Sequence, residues 1–132
     1  MESKGLKVRA TKALLLWGPV FGQMALIFYF SAQPSGSSVL EQFPVSASVG
    51  HLGGYFLLGL FLYRAINRGS FAWKLRTALL TMAGGVINAA SDEFHQLFVP
   101  GREATLTDIG FDALGILIFL LLVRGREAIL KE

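Results

Sequence analysis

The sequence contains no cysteine and has few charged residues for its length. The absence of cysteine excludes disulfide bonds, a cysteine nucleophile and thiolate metal ligands. Charged residues occupy 16% of the 132 positions, whereas about 25% is typical of soluble domains. Hydrophobic residues occupy 53%, and the mean hydropathy is +0.54. This composition indicates a membrane protein.

Basic and acidic residues are unevenly distributed along the chain. Eleven of the 12 lysines and arginines lie in the segments 1–12, 64–76 and 124–132, and the middle segment contains no acid. Six of the nine acids lie in or beside the segments 31–44 and 91–107. The positive-inside rule therefore predicts that both termini and the middle connection are cytoplasmic. Because topology accounts for the excess positive charge, we expect no binding to nucleic acid.

Four apolar segments separate these polar regions, at about 13–30, 45–63, 75–98 and 106–123. A helix needs about 20 apolar residues, each rising about 1.5 Å, to cross a bilayer. The first segment is longer than the roughly 7–15 apolar residues of a signal peptide, so we expect it to be retained. The prediction is an all-α integral membrane bundle of four transmembrane helices. Residues 1–132 would form a single multi-pass domain in the cell membrane, with the N- and C-termini cytoplasmic.

The richest group of polar side chains lies at the end of the third predicted helix. Helical spacing puts Asp92 and His95 on one face, and it puts Glu93 and Gln96 on an adjoining face. Carboxylate and imidazole groups can act as general acids and bases or as metal ligands. A divalent cation held by Asp92, Glu93 and His95, with or without His51, is one interpretation. The segment lacks the two-histidine spacing of zinc peptidases, so it does not identify a metal.

Two further predicted helices bring polar residues to the same depth. Asp108 and Asp112 are four residues apart on the fourth helix, and His51 and Tyr55 share a face of the second. An ionisable group at a helix centre in a bilayer costs about 2.5–3.5 kcal/mol, so Asp112 should face the bundle interior. Thr105 and Asp108 also fit a capping box. Together these positions predict one polar site at the outward end of helices two to four.

Residues 91–102, SDEFHQLFVPGR, followed by Asp108 and the DALG of 112–115, resemble the VanZ-like family. Members of this family carry an Asp-Glu-x-x-Gln…Arg…Asp pattern. The end of the first apolar segment, YFSAQP at 29–34, and His51 followed by Tyr55 are also similar to the family. The resemblance covers about residues 13–123. It implies a four-helix integral membrane protein related to the accessory glycopeptide-resistance protein, which lowers bacterial susceptibility to teicoplanin.

One hypothesis is that the chain is an envelope protein in contact with membrane lipids. It would engage an amphiphile at the outer leaflet, such as a lipoglycopeptide antibiotic or a lipid-linked cell-wall precursor. Arg102 would contact an anionic group of this ligand. The other candidate binding residues are Gln96, Asp108, Asp112, Tyr55 and Gln33.

The alternative hypothesis is an intramembrane enzyme that acts on lipid-linked cell-wall or phospholipid substrates. It would depend on a metal ion or on acid/base chemistry, with Asp92, Glu93, His95 and His51 as candidate catalytic residues. A serine mechanism using Ser31 or Ser91 with His95 is a further option. In a third interpretation the polar residues are purely structural and hold the helix ends in register.

Overall fold

The protein folds as a bundle of α-helices. The structure is a computed structural model that describes residues 2–35 and 47–131, with side chains for 5–35 and 47–131. No β-strand occurs among these residues, which confirms the all-α prediction. The predicted start of the second span, at residue 45, lies outside the described part. The helices are α1 (Glu2–Ser31), α2 (Ala47–Ile66), α3 (Leu75–Gln96) and α4 (Leu106–Ile129).

Three helical segments are long and apolar enough to cross a membrane. They are Gly5–Ser31, Ala47–Ile66 and Leu106–Ile129. Their outward surface suits lipid, because large apolar side chains such as Leu14, Phe21 and Leu121 are exposed. Within the described residues, helix α3 is not apolar enough to count among these candidate spans. The crossing by α3 and the cytoplasmic termini stay predictions.

The helices are arranged so that their ends form two chemically different regions. We call the region around Ser31, His51, Gln96 and Leu106 the polar end. The opposite region contains the connection between α2 and α3, and we call it the basic end. There the buried Tyr63 hydroxyl donates to the carbonyl of Ala72, at 2.8 Å, and accepts from the amide of Lys74, at 3.0 Å. These bonds fix the start of α3 next to the end of α2.

Helices α2 and α4 form the most extensive pair in the bundle. Glycines permit this contact, because a Cβ atom at Gly115 would collide with the carbonyl oxygen of Leu52 on α2. A Cβ at Gly59 would lie 3.4 Å from the Cα atom of Ile116. Small residues commonly allow helices to approach closely in membranes. The close approach places Asp112, one turn before Gly115, beside the start of α2.

Candidate functional site

The end of α3 turns three polar side chains into the bundle interior. Asp92, Glu93 and Gln96 are all buried, with exposed fractions of 6%, 3% and 2%. The Gln96 amide nitrogen donates to Glu93 Oε1 at 3.0 Å and to Asp92 Oδ2 at 3.3 Å. One amide therefore joins the two carboxylates, as the one-turn spacing along α3 allows. On the outside of the same turns, Phe94 and Leu97 are exposed.

Asp92 also contacts the end of α1. Ser31 donates a hydrogen bond of 2.6 Å from its Oγ to Asp92 Oδ1, and both side chains are buried. This contact was not predicted from the sequence, where Ser31 was considered only as a nucleophile paired with His95. The available signal was its position at the end of a long apolar segment, where an inward serine needs a polar partner.

Glu93 contacts the start of α4. Its Oε2 atom accepts from the backbone amide of Thr105 at 2.9 Å. Thr105 is the N-cap residue of α4: its hydroxyl accepts from the amide of Asp108 at 3.1 Å and donates to Asp108 Oδ2 at 2.7 Å. The predicted capping role of Asp108 is therefore confirmed. The carboxylate of Asp108 is directed to the cap.

Asp112 lies inside the bundle and pairs with His51. The residue is fully buried, and its Oδ1 atom lies 2.9 Å from His51 Nδ1. Its second oxygen, Oδ2, is buried and has no hydrogen-bond partner. The His51 side chain keeps 16% of its surface exposed. The prediction that Asp112 faces the interior next to a partner is confirmed, and the partner is His51.

Three helices bring His51, Glu93 and Asp112 together. Each of these residues offers one ligand atom, and the three atoms lie within 4.8 Å of one another. We call these three residues, together with Asp92 and Gln96, the polar cluster. In the part of the chain that the structure describes, no lysine or arginine lies within 4.0 Å of its carboxylates, and the only basic side chain paired with them is His51.

His95 does not join the polar cluster. Its ring packs against Phe28, with the ring centres 4.3 Å apart, and its Nδ1 atom is buried without a hydrogen-bond partner. The three-residue group in the described chain that could hold a metal consists of His51, Glu93 and Asp112. Of the ligands considered from the sequence, Glu93 and His51 are in this group, whereas Asp92 is not and His95 turns toward α1.

The remaining candidate residues lie around the cluster. The Tyr55 hydroxyl donates to Asn88 Oδ1 at 3.2 Å, which ties α2 to α3. Gln33 donates from its side chain to the carbonyl of Tyr29, at 3.1 Å. Arg102 donates to the carbonyl of Gln33 at 3.0 Å and to that of Phe30 at 3.2 Å. Its guanidinium group thus attaches the α3–α4 connection to the end of α1.

A groove between the end of α3 and the start of α4 reaches one residue of the polar cluster, Glu93. It has a volume of about 130 Å³, and Glu93 and Thr105 provide its polar lining. Its apolar lining includes Phe94, Leu97 and Ile109. The groove is therefore lined both by the buried residue Glu93 and by apolar side chains.

Comparison with known proteins identifies one family. The family model described as VanZ/LLP1 matches residues 16–130. No curated protein and no solved structure gives a significant match.

Proposed function

Because this chain belongs to the VanZ-like family, we propose that it engages an amphiphile at the outer leaflet of the cell membrane. The ligand would be a lipoglycopeptide antibiotic or a lipid-linked cell-envelope component. Binding of the antibiotic would lower susceptibility to teicoplanin. The groove between α3 and α4 carries this proposal, because its lining combines the buried residue Glu93 with apolar side chains that an acyl chain could contact.

The arrangement of the helices supports four crossings with the polar end outward. Helices α2 and α4 both start at the polar end, so α3 has to return from the basic end to the polar end. Its 22 residues span about 33 Å at about 1.5 Å each, enough to cross the hydrocarbon core. The basic residues concentrated at the opposite end favour a cytoplasmic position for that end and for both termini.

The surface around the groove suits a ligand with an acyl chain. Phe94, Leu97 and Phe98 are exposed by 63%, 61% and 72% of their surface. The rings of Phe94 and Phe98 lie edge to face, with centres 5.5 Å apart. An acyl chain would lie against these rings while a polar part of the ligand reaches Glu93. We also retain Asp108, Tyr55 and Gln33 as residues around the proposed site.

A binding measurement with the purified protein in lipid nanodiscs tests this function. We expect labelled teicoplanin, which has a lipid tail, to bind more tightly than labelled vancomycin, which lacks one. Phe98→Ala should weaken teicoplanin binding about fivefold, since losing part of an aromatic contact costs about 1 kcal/mol. Leu79→Ala removes a similarly exposed residue nearer the start of α3 and serves as the matched control. Equal affinity for the two antibiotics would contradict the proposal, and so would unchanged binding by Phe98→Ala.

The pairing of His51 with Asp112 favours a second candidate function. An imidazole oriented by a carboxylate is a common arrangement for a general base. The alternative is therefore an acid/base enzyme that acts on a lipid-linked cell-wall or phospholipid substrate, with Glu93 as the second proton-transfer group. Mass spectrometry of such lipids after incubation with the protein tests it. A product formed by the parent and absent with Glu93→Gln would support an enzyme, and unchanged lipids would contradict it.

A further inference from the structure

We propose that His51, Glu93 and Asp112 bind one divalent transition-metal ion, such as Zn²⁺ or Mn²⁺. The three residues come from α2, α3 and α4, so the ion would join three helices at the polar end. This site would bind the ion whether or not the chain engages an amphiphile.

The positions of the ligand atoms require only a small adjustment. The three atoms lie within 4.8 Å of one another, and His51 Nδ1 and Asp112 Oδ1 are 2.9 Å apart. Two ligands that each lie about 2.1 Å from a metal can be at most about 4.2 Å apart. A separation of 4.8 Å between two ligand atoms exceeds this maximum of about 4.2 Å by about 0.6 Å. It exceeds the separation of two ligand atoms in a tetrahedral site by about 1.4 Å. Rotation of a side chain within its rotamer well covers such a difference.

The unpartnered oxygen of Asp112 is independent evidence for a ligand. Asp112 is fully buried, and its Oδ2 atom has no hydrogen-bond partner. A buried polar atom without a partner costs about 1–3 kcal/mol, and more if it is charged. A metal ion next to this carboxylate would supply the missing interaction. His51, whose side chain is partly exposed, provides an entry path.

The charge of the polar cluster also favours a cation. Three carboxylates, those of Asp92, Glu93 and Asp112, lie at one depth of the bundle, and in the described residues no lysine or arginine forms an ion pair with them. Buried charges in proteins are normally paired or coordinate metals. An ion of charge +2 would compensate for this excess of negative charge.

Neighbouring residues already hold Glu93 in place. Gln96 donates to Glu93 Oε1 and the amide of Thr105 donates to Glu93 Oε2, which fixes the carboxylate in one orientation. Hydrogen bonds of this kind orient metal ligands in known sites. Because one of the three ligands is an imidazole, a transition-metal ion is favoured over Mg²⁺ or Ca²⁺, which prefer oxygen ligands.

The experiment measures metal bound to the full chain, purified in detergent, stripped with a chelator and titrated with Zn²⁺ or Mn²⁺. We expect the parent to bind one equivalent of at least one of these ions. Glu93→Gln and Asp112→Asn should weaken binding by more than about 100-fold, because even the loss of outer-shell partners costs about 10–100-fold. Glu103→Gln removes an exposed carboxylate near the same end and should bind like the parent.

Two results would overturn the site: no stoichiometric binding of either ion by the parent, or parent-like binding by both Glu93→Gln and Asp112→Asn. Circular dichroism shows whether the variants keep their helices. X-ray absorption of the metal-loaded parent gives an answer that does not depend on the variants. One imidazole nitrogen among oxygen ligands supports the site, and a shell of oxygen alone contradicts it.

Discussion

Replacing Gly115 with alanine tests whether the close approach of α2 and α4 determines the geometry of the polar end. The added Cβ atom would collide with the carbonyl oxygen of Leu52 and lie 3.0 Å from the amide nitrogen of Phe56. These are backbone atoms, which cannot rotate away as the end of a side chain can. The helices would therefore have to separate.

The expected loss of stability follows from two opposing effects. Overpacking typically costs about 1–3 kcal/mol, and a contact with backbone should lie near the upper value. Alanine is better than glycine inside a helix by about 1 kcal/mol. We therefore expect Gly115→Ala to reduce the free energy of unfolding by about 2 kcal/mol.

Two matched glycine substitutions provide the controls. A Cβ atom at Gly85 would meet only the side chain of Ile116, which can rotate, so Gly85→Ala should cost less than Gly115→Ala. Nothing lies within 4 Å of a Cβ atom at Gly110, so Gly110→Ala should stabilise the protein by up to about 1 kcal/mol.

Thermal unfolding in detergent, followed by circular dichroism, measures the three variants under identical conditions. The predicted order of stability is Gly110→Ala, then Gly85→Ala, then Gly115→Ala. If Gly115→Ala were as stable as Gly110→Ala, the close contact between α2 and α4 would be refuted.

Three further substitutions test individual contacts, two by the same unfolding measurement and one by limited proteolysis. Ser31→Ala leaves a buried oxygen of Asp92 without its partner and should cost about 1–3 kcal/mol, whereas Ser91→Ala, at an exposed position, should have no effect. Arg102→Ala frees the α3–α4 connection from α1, so a glutamate-specific protease should cut after Glu103 faster than in the parent; equal cutting rates would argue against the two hydrogen bonds. Thr105→Ala removes the N-cap of α4 and should cost about 1 kcal/mol, while Thr105→Ser should retain stability; equal losses in both would contradict the cap.

Local sequence signals predicted the helices well, because each helix depends mostly on its own residues. Helix α4 begins at Leu106 as predicted, since Thr105 and Asp108 form the expected cap. It continues to Ile129, beyond the predicted end at 123. The apolar segment ends at 123, but the basic residues that follow it are compatible with a helix. Helix α3 ends at Gln96, followed by a turn in which Gly101 has a φ of 74°.

The pairing of side chains between helices was harder to predict. Helical spacing showed that Asp92 and His95 share one face and that Glu93 and Gln96 share another, but it could not show which direction faces the interior. In the structure, Asp92, Glu93 and Gln96 point into the bundle, and His95 is turned toward α1. The partners Ser31 and Asp92 are 61 residues apart in the chain. Their contact depends on the rotational orientation of each helix in the bundle, and no local sequence pattern determines this orientation.

The most direct test of the account is teicoplanin susceptibility, compared with vancomycin, in a sensitive Gram-positive host. The host would express the parent, Glu93→Gln or Glu103→Gln at matched membrane levels. If the polar cluster is the functional site, the parent and Glu103→Gln should protect selectively against teicoplanin, and Glu93→Gln should not. Equal protection by Glu93→Gln, or no protection by the parent, would contradict this account.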